Sequence, residues 1–122
     1  TLRGFHKQSF PYEEKKILTC LSGEFLNVSI DLRKKSKTYL KVYKIKLSEK
    51  NNLSIHVPKG FANAYMTLKN NTKILYYMSE FYKPKKEQHI RFNDNFFSIK
   101  WPKKPSIISK KDLNILNFKP DK

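Results

Sequence analysis

The apolar residues of this chain come in short runs, each stopped by a turn signal, and no stretch carries the repeat of a long amphipathic helix. That distribution points to a fold built from strands. Residues 16–21 form a mostly apolar run that ends at Ser22-Gly23. Across 24–32, polar and apolar residues alternate from Asn27 onward, the period of a half-buried strand. Residues 38–47 interleave Tyr39, Leu40, Val42, Tyr43, Ile45 and Leu47 with Lys41, Lys44 and Lys46, which predicts a further strand. Residues 53–57 alternate and stop at Pro58-Lys59-Gly60. The segments 61–68 and 72–81 read as a hairpin around Lys69-Asn70-Asn71. The stretch 95–105 is aromatic and proline-rich and is expected to be irregular, and 109–117 is expected to hold one short helix with Ser109 as its N-cap. Many short strands with frequent turns predict an all-β sandwich or barrel.

At 122 residues the chain suits one domain whose core needs neither a metal nor a disulfide to hold it. Cys20 is the lone cysteine, which rules out an intramolecular disulfide and a cysteine-based zinc site and fits a reducing, cytoplasmic setting. A mean hydropathy of −0.69 and the lack of a long apolar run exclude a membrane-spanning helix. The net charge of +16 suggests anionic partners. Its composition points elsewhere, because Arg3, Arg33 and Arg91 are the only arginines among 26 basic residues. Arginine is the residue of bidentate phosphate and base recognition. A lysine-dominated excess therefore reads as solvated surface and disfavours nucleic acid as a partner. The basic-aromatic stretches at 81–83 and 100–104 could form a single-strand platform, but strands with aromatics inward and lysines outward give the same pattern.

Candidate chemistry is sparse on local motifs alone. His6, His56 and His89 show no metal-ligand spacing, so no metal site is expected. Phosphate-cradling glycine loops and a nucleophile elbow are absent. His6 alternates with Phe5, so one of them faces inward; by spacing alone His6 reads as a partly exposed strand residue. His56 reads as a surface position and His89, after the charged run 83–87, as solvated.

Several segments taken in order resemble one family. They are Leu2-Arg3-Gly4-Phe5-His6, Lys16, Gly23-Glu24, Asp31-Leu32-Arg33 with Ser36-Lys37-Thr38-Tyr39, and Pro58-Lys59-Gly60-Phe61-Ala62. Tyr76, Tyr82-Lys83-Pro84, Glu87, Asn93-Asp94, Ile99-Lys100-Trp101-Pro102 and Ser109-Lys110-Lys111-Asp112 continue the series. Together they resemble the dTDP-4-dehydrorhamnose 3,5-epimerases over residues 2–112. The resemblance implies a cupin-type jelly roll (a double-stranded β-helix), a homodimer without metal or cofactor, and a dTDP-linked nucleotide-sugar substrate. It implies one such domain over 1–122, with the family's N-terminal strands absent from the chain.

The implied reaction removes a proton next to the ketone of a 4-keto-6-deoxy sugar and returns one to the opposite face, in deoxysugar and surface polysaccharide synthesis. By resemblance His6 is the base, Asp112 the carboxylate that orients it, Lys16 the cation at the forming enolate, and Tyr76 the proton donor. Those assignments suit the chemistry: imidazole titrates near neutral pH, a carboxylate fixes its tautomer, and positive charge in a dry pocket stabilises an enolate. Arg3, Asn63, Tyr82, Glu87, Lys111 and Asn27 fall at substrate-binding positions, Tyr82 where the family stacks an aromatic on thymine. Asn63 replaces a family histidine, Asn27 an aspartate that is frequent there, and Ala64 a glycine. Each asparagine removes a titratable group, which leaves open whether one centre or two is inverted. A non-catalytic nucleotide-sugar-binding cupin and a basic nucleic-acid-binding β-domain are the alternative readings.

Overall fold

The computed structural model describes residues 1–8, 11–80, 87–105, 107–109 and 112. Among these residues there are eight strands: β1 (Leu2–Gln8), β2 (Lys16–Ser22), β3 (Glu24–Asp31), β4 (Val42–Ser48), β5 (Ser54–Val57), β6 (Phe61–Thr67), β7 (Lys73–Met78) and β8 (Glu87–His89). They form a five-stranded sheet in the order β4-β3-β6-β1-β8 and a three-stranded sheet in the order β5-β2-β7. Every strand pairing is antiparallel. This is the all-β, cupin-type jelly roll expected from the sequence. Most of the predicted C-terminal helix lies outside the described residues. Of the described residues there, the Asp112 amide donates to Ser109 Oγ at 3.1 Å, the bond an N-cap serine would accept.

The alternation along β3 shows how the core is divided. Phe25 faces the small sheet and joins Leu18, Cys20, Leu47 and Val57 in a cluster between the sheets. Val28 and Ile30 face the other way and pack with Phe5, Ala62, Ala64 and Ile90 under Phe97, Ile99 and Trp101. Both faces of the large sheet are thus covered, one by the small sheet and one by the irregular segment after β8. Full burial of a side chain such as Phe5 or Phe25 contributes about 1.5–3 kcal/mol. Trp101 keeps its polar edge satisfied by donating from Nε1 to the Phe92 carbonyl at 2.8 Å. The inward position of this ring matches the structural reading of the basic-aromatic stretch around it.

Two sequence expectations are corrected. Residues 61–68 and 72–81 do not form a hairpin, because β6 pairs with β1 and β3 while β7 pairs with β2 in the other sheet. The turn residues between them carry the chain from one sheet to the other, a choice made by long-range pairing. The strand expected over 38–47 begins at Val42. Residues before it are drawn into a closed loop around Asp31, whose carboxylate accepts from Arg33 Nε and Nη2, Ser36 Oγ and Thr38 Oγ1. Leu40 closes that loop at φ 70°, incompatible with a strand ladder, and donates to the Asp31 carbonyl.

Candidate active site

A cavity of about 450 Å³ opens between the two sheets. Arg3, His6 and Gln8 of β1 and Asn63 and Tyr65 of β6 line it from the large sheet; Lys16 and Leu18 of β2 and Tyr76 and Met78 of β7 line it from the small one. The pairing Leu18↔Tyr76 and Lys16↔Met78 explains the second wall, since same-face residues on neighbouring strands share one side. The first wall needs a local irregularity. Arg3 and His6 are three apart and would face opposite sides of a regular strand. The register with β6 slips between Arg3↔Tyr65 and His6↔Asn63, and this bulge lets both side chains line the cavity. Gly4 sits in the bulge at φ 122°, where a Cβ would lie 2.6 Å from Ala64 Cα, so no other residue fits.

His6 Nε2 lies 2.7 Å from Asp112 Oδ1. The carboxylate side chain is 4% exposed and the imidazole 28%. Burial acts to raise the Asp112 carboxyl. The His6 hydrogen bond and charge, the Gly4 amide and the Ser109 hydroxyl outweigh it and hold the group below its ordinary value of 3.8. An ionised carboxylate only accepts, so Nε2 carries the proton in this bond and the lone pair of the neutral ring is on Nδ1.

Asn27 and Asn63 form a reciprocal amide pair, each donating Nδ2 to the other's Oδ1 at 2.9 and 3.0 Å. Asn63 lines the cavity, whereas Asn27, 1% exposed, stands behind it as a support. The pair is electrically neutral, so this part of the wall does not titrate. Tyr65 beside it has its phenol raised by burial, with Arg3 opposing and Tyr76 adding to the shift. Lys16 Nζ lies 3.4 Å from Glu14 Oε1, with the carboxylate side chain 4% exposed.

The fold brings together most of the residues expected at a site. Arg3, His6, Lys16, Asn63 and Tyr76 line one cavity, and Asp112 and Asn27 hold two of them from behind. The Glu87 backbone belongs to β8, while Tyr82 and Lys111 lie outside the described residues.

The sequence reading misplaced one further residue and missed another. His89, expected to be solvated, is half-buried: β8 pairs it with His6, and the rings meet edge-on at 4.9 Å. No local pattern could reveal a contact across 83 positions of chain. Glu14 could have been found, since it stands two residues before Lys16. His6, His89 and Asp112 also bring ligand-type atoms within 4.8 Å of one another. The 2.7 Å between His6 and Asp112 is a hydrogen-bond length. Two donors each about 2.0–2.2 Å from one tetrahedral ion would stand farther apart, so His6 and Asp112 as arranged form a hydrogen-bonded imidazole–carboxylate pair.

Residues 1–120 match the family described as dTDP-4-dehydrorhamnose 3,5-epimerase. The enzyme of that name from Shigella flexneri is 34% identical over 117 residues, covering 96% of this chain and 65% of its own length. The crystal structure of the one from Elizabethkingia anophelis NUHP1 superposes with a TM-score of 0.92 at 36% identity, over 96% of this chain and 65% of that one. A Legionella pneumophila Philadelphia 1 epimerase, solved in complex with dTDP-4-keto-L-rhamnose, gives 0.85 at 32% identity, over 92% of this chain and 60% of that one. The chain therefore spans a little under two thirds of the length of these relatives.

Proposed function

Because the chain belongs to the dTDP-4-dehydrorhamnose 3,5-epimerase family, we propose that it is an isomerase acting on a dTDP-linked 4-keto-6-deoxy sugar in dTDP-rhamnose or related polysaccharide synthesis. One observation carries this reading: His6 lines the cavity from the large sheet, while Tyr76 and Lys16 line it from the small one. A sugar ring held between the sheets would meet a base on one side and an acid on the other.

His6 takes the proton from a carbon beside the ketone, and the electrons of that C–H bond pass into an enolate. Asp112 holds the imidazole in the tautomer whose Nδ1 is free and stabilises the ring once it is charged. Lys16 offsets the charge on the enolate oxygen, and Asn63 donates a hydrogen bond there without adding charge. Tyr76 delivers a proton to the other face of the ring, and the inverted centre results. Arg3, Glu87, Lys111 and Tyr82 hold the nucleotide part in this proposal.

A cytoplasmic, dimeric protein completes the reading. The exposed stripe of Ile17, Leu21, Leu75 and Tyr77 on β2 and β7 gives a second copy an apolar face to cover.

Proton NMR in D2O with dTDP-4-keto-6-deoxyglucose tests the activity. Deuterium should enter beside the ketone with the wild type and fall by at least about 100-fold with His6→Ala. Exchange unchanged by that substitution removes His6 as the base. Tight dTDP binding with no exchange on any 4-keto nucleotide sugar makes the protein a binding module, a reading that the neutral Asn27–Asn63 pair favours.

A further inference from the structure

Glu14 is the one carboxylate among the described residues lining the cavity, in company with Arg3, His6, Lys16, Asn63 and Tyr76, all of which can donate hydrogen bonds. Its Oε1 meets the Lys16 ammonium at 3.4 Å. Its Oε2 is buried and has no hydrogen-bond partner among the described residues. A buried acceptor without a donor is costly, and that cost disappears when a ligand supplies an O–H.

We propose that Glu14 and Lys16 act together as a clamp for an α-hydroxy ketone: Lys16 donates to the ketone oxygen, and Glu14 accepts from the hydroxyl on the neighbouring carbon. The inference rests on the epimerase reading and deepens it by naming the part of the sugar that the small sheet grips. An ammonium beside a carboxylate offers a donor and an acceptor side by side. An α-hydroxy ketone offers an acceptor and a donor side by side, so the two patterns match. Diphosphate oxygens and a simple ketone are acceptors only and would leave Glu14 unmatched or repelled. In a 4-keto-6-deoxy sugar the hydroxyl that fits is on carbon 3, because the other neighbour of the ketone carries the methyl group and the ring oxygen. The clamp therefore orients the ring and selects sugars that keep this hydroxyl. Glu14 is a positioning and specificity residue in this account and takes no proton from carbon.

The test compares dTDP-4-keto-6-deoxyglucose with its 3-deoxy analogue, which keeps the ketone and the exchangeable proton on carbon 5. Exchange kinetics in D2O and calorimetric affinity are measured for wild type, Glu14→Met and Glu14→Gln. Wild type should prefer the 3-hydroxy ligand by roughly 10- to 100-fold in KM and affinity, the range expected for one charge-assisted hydrogen bond. Glu14→Met should abolish the preference, and Glu14→Gln, which keeps an acceptor, should retain part of it. If Glu14→Met fails to fold by circular dichroism, the reduced preference of Glu14→Gln carries the test. An equal preference in wild type and the folded variants overturns the clamp. Absence of exchange in wild type overturns the epimerase reading separately, and the calorimetric preference then decides the clamp alone.

Discussion

Replacing Asp112 by asparagine changes little in shape and much in chemistry. In the wild type Oδ1 accepts from His6 Nε2 at 2.7 Å, and Oδ2 lies 3.4 Å from the Gly4 amide. An asparagine amide can keep both contacts in only one orientation. Its oxygen must face the Gly4 N–H, since an NH2 there would oppose a donor with a donor, and its NH2 must face His6. Nε2 then has to accept, so the imidazole proton moves to Nδ1, the nitrogen that the proposed reaction uses as its base.

The loss has two parts. In the transition state of the proposed reaction His6 would carry the substrate proton, and an imidazolium–carboxylate pair with charge centres about 4 Å apart is worth about 4 kcal/mol at an effective dielectric of about 20. Restoring the productive tautomer against the new hydrogen bonds adds about 1 kcal/mol. Together they predict a fall of roughly 10³–10⁴-fold in turnover, similar to the effect of the same exchange in a serine-protease triad. The assay is initial deuterium incorporation into dTDP-4-keto-6-deoxyglucose, with melting temperatures recorded in parallel. A folded Asp112→Asn protein within about tenfold of wild type would falsify the tautomer argument, since the predicted loss is several times 1.36 kcal/mol.

Other substitutions separate the remaining roles. Tyr76→Phe should still permit solvent exchange at the carbon facing His6 but should lower the yield of inverted sugar by about 10²-fold or more, read by NMR of the product; inversion at the wild-type rate would exclude Tyr76 as the donor. Gly4→Ala should cost about 2–4 kcal/mol in urea unfolding, because a Cβ would lie 2.6 Å from the Ala64 backbone at φ 122°; an unchanged midpoint would mean that the bulge is not needed. Asp31→Asn should cost about 2–4 kcal/mol at pH 7, since the fully buried carboxylate gathers Arg33, Ser36 and Thr38. Acid should destabilise the wild type through Asp31 and Asp112. Burial acts to raise each carboxyl, but their hydrogen bonds prevail and hold both below 3.8. The unfolded chain therefore takes up more protons as pH drops, and the stability present above about pH 4 declines as pH falls through the folded values. Urea midpoints from pH 7 to pH 3 should fall for the wild type and less steeply for Asp31→Asn; parallel curves would reject the assignment to Asp31.

Strand content was legible because side-chain alternation is a local property. The run 24–31 has its odd positions toward the small sheet and its even ones under the C-terminal segment, as its period of two required. The residue types at the site were legible too, since the order of His6, Lys16, Tyr76 and Asp112 along the chain carries the family resemblance. What the chain alone left undecided is everything set by pairing between distant segments. The turn at 69–71 looks like a hairpin, yet the partners of β6 and β7 are chosen by the packing of two sheets. His89 meets His6 because β8 joins the edge of β1. A strand's period also cannot announce its own interruption. Without the slip in register between Arg3 and His6, the imidazole and the guanidinium would lie on opposite faces of the sheet. Their common cavity is a property of the folded sheet, fixed by a glycine with no room for a side chain beside Ala64.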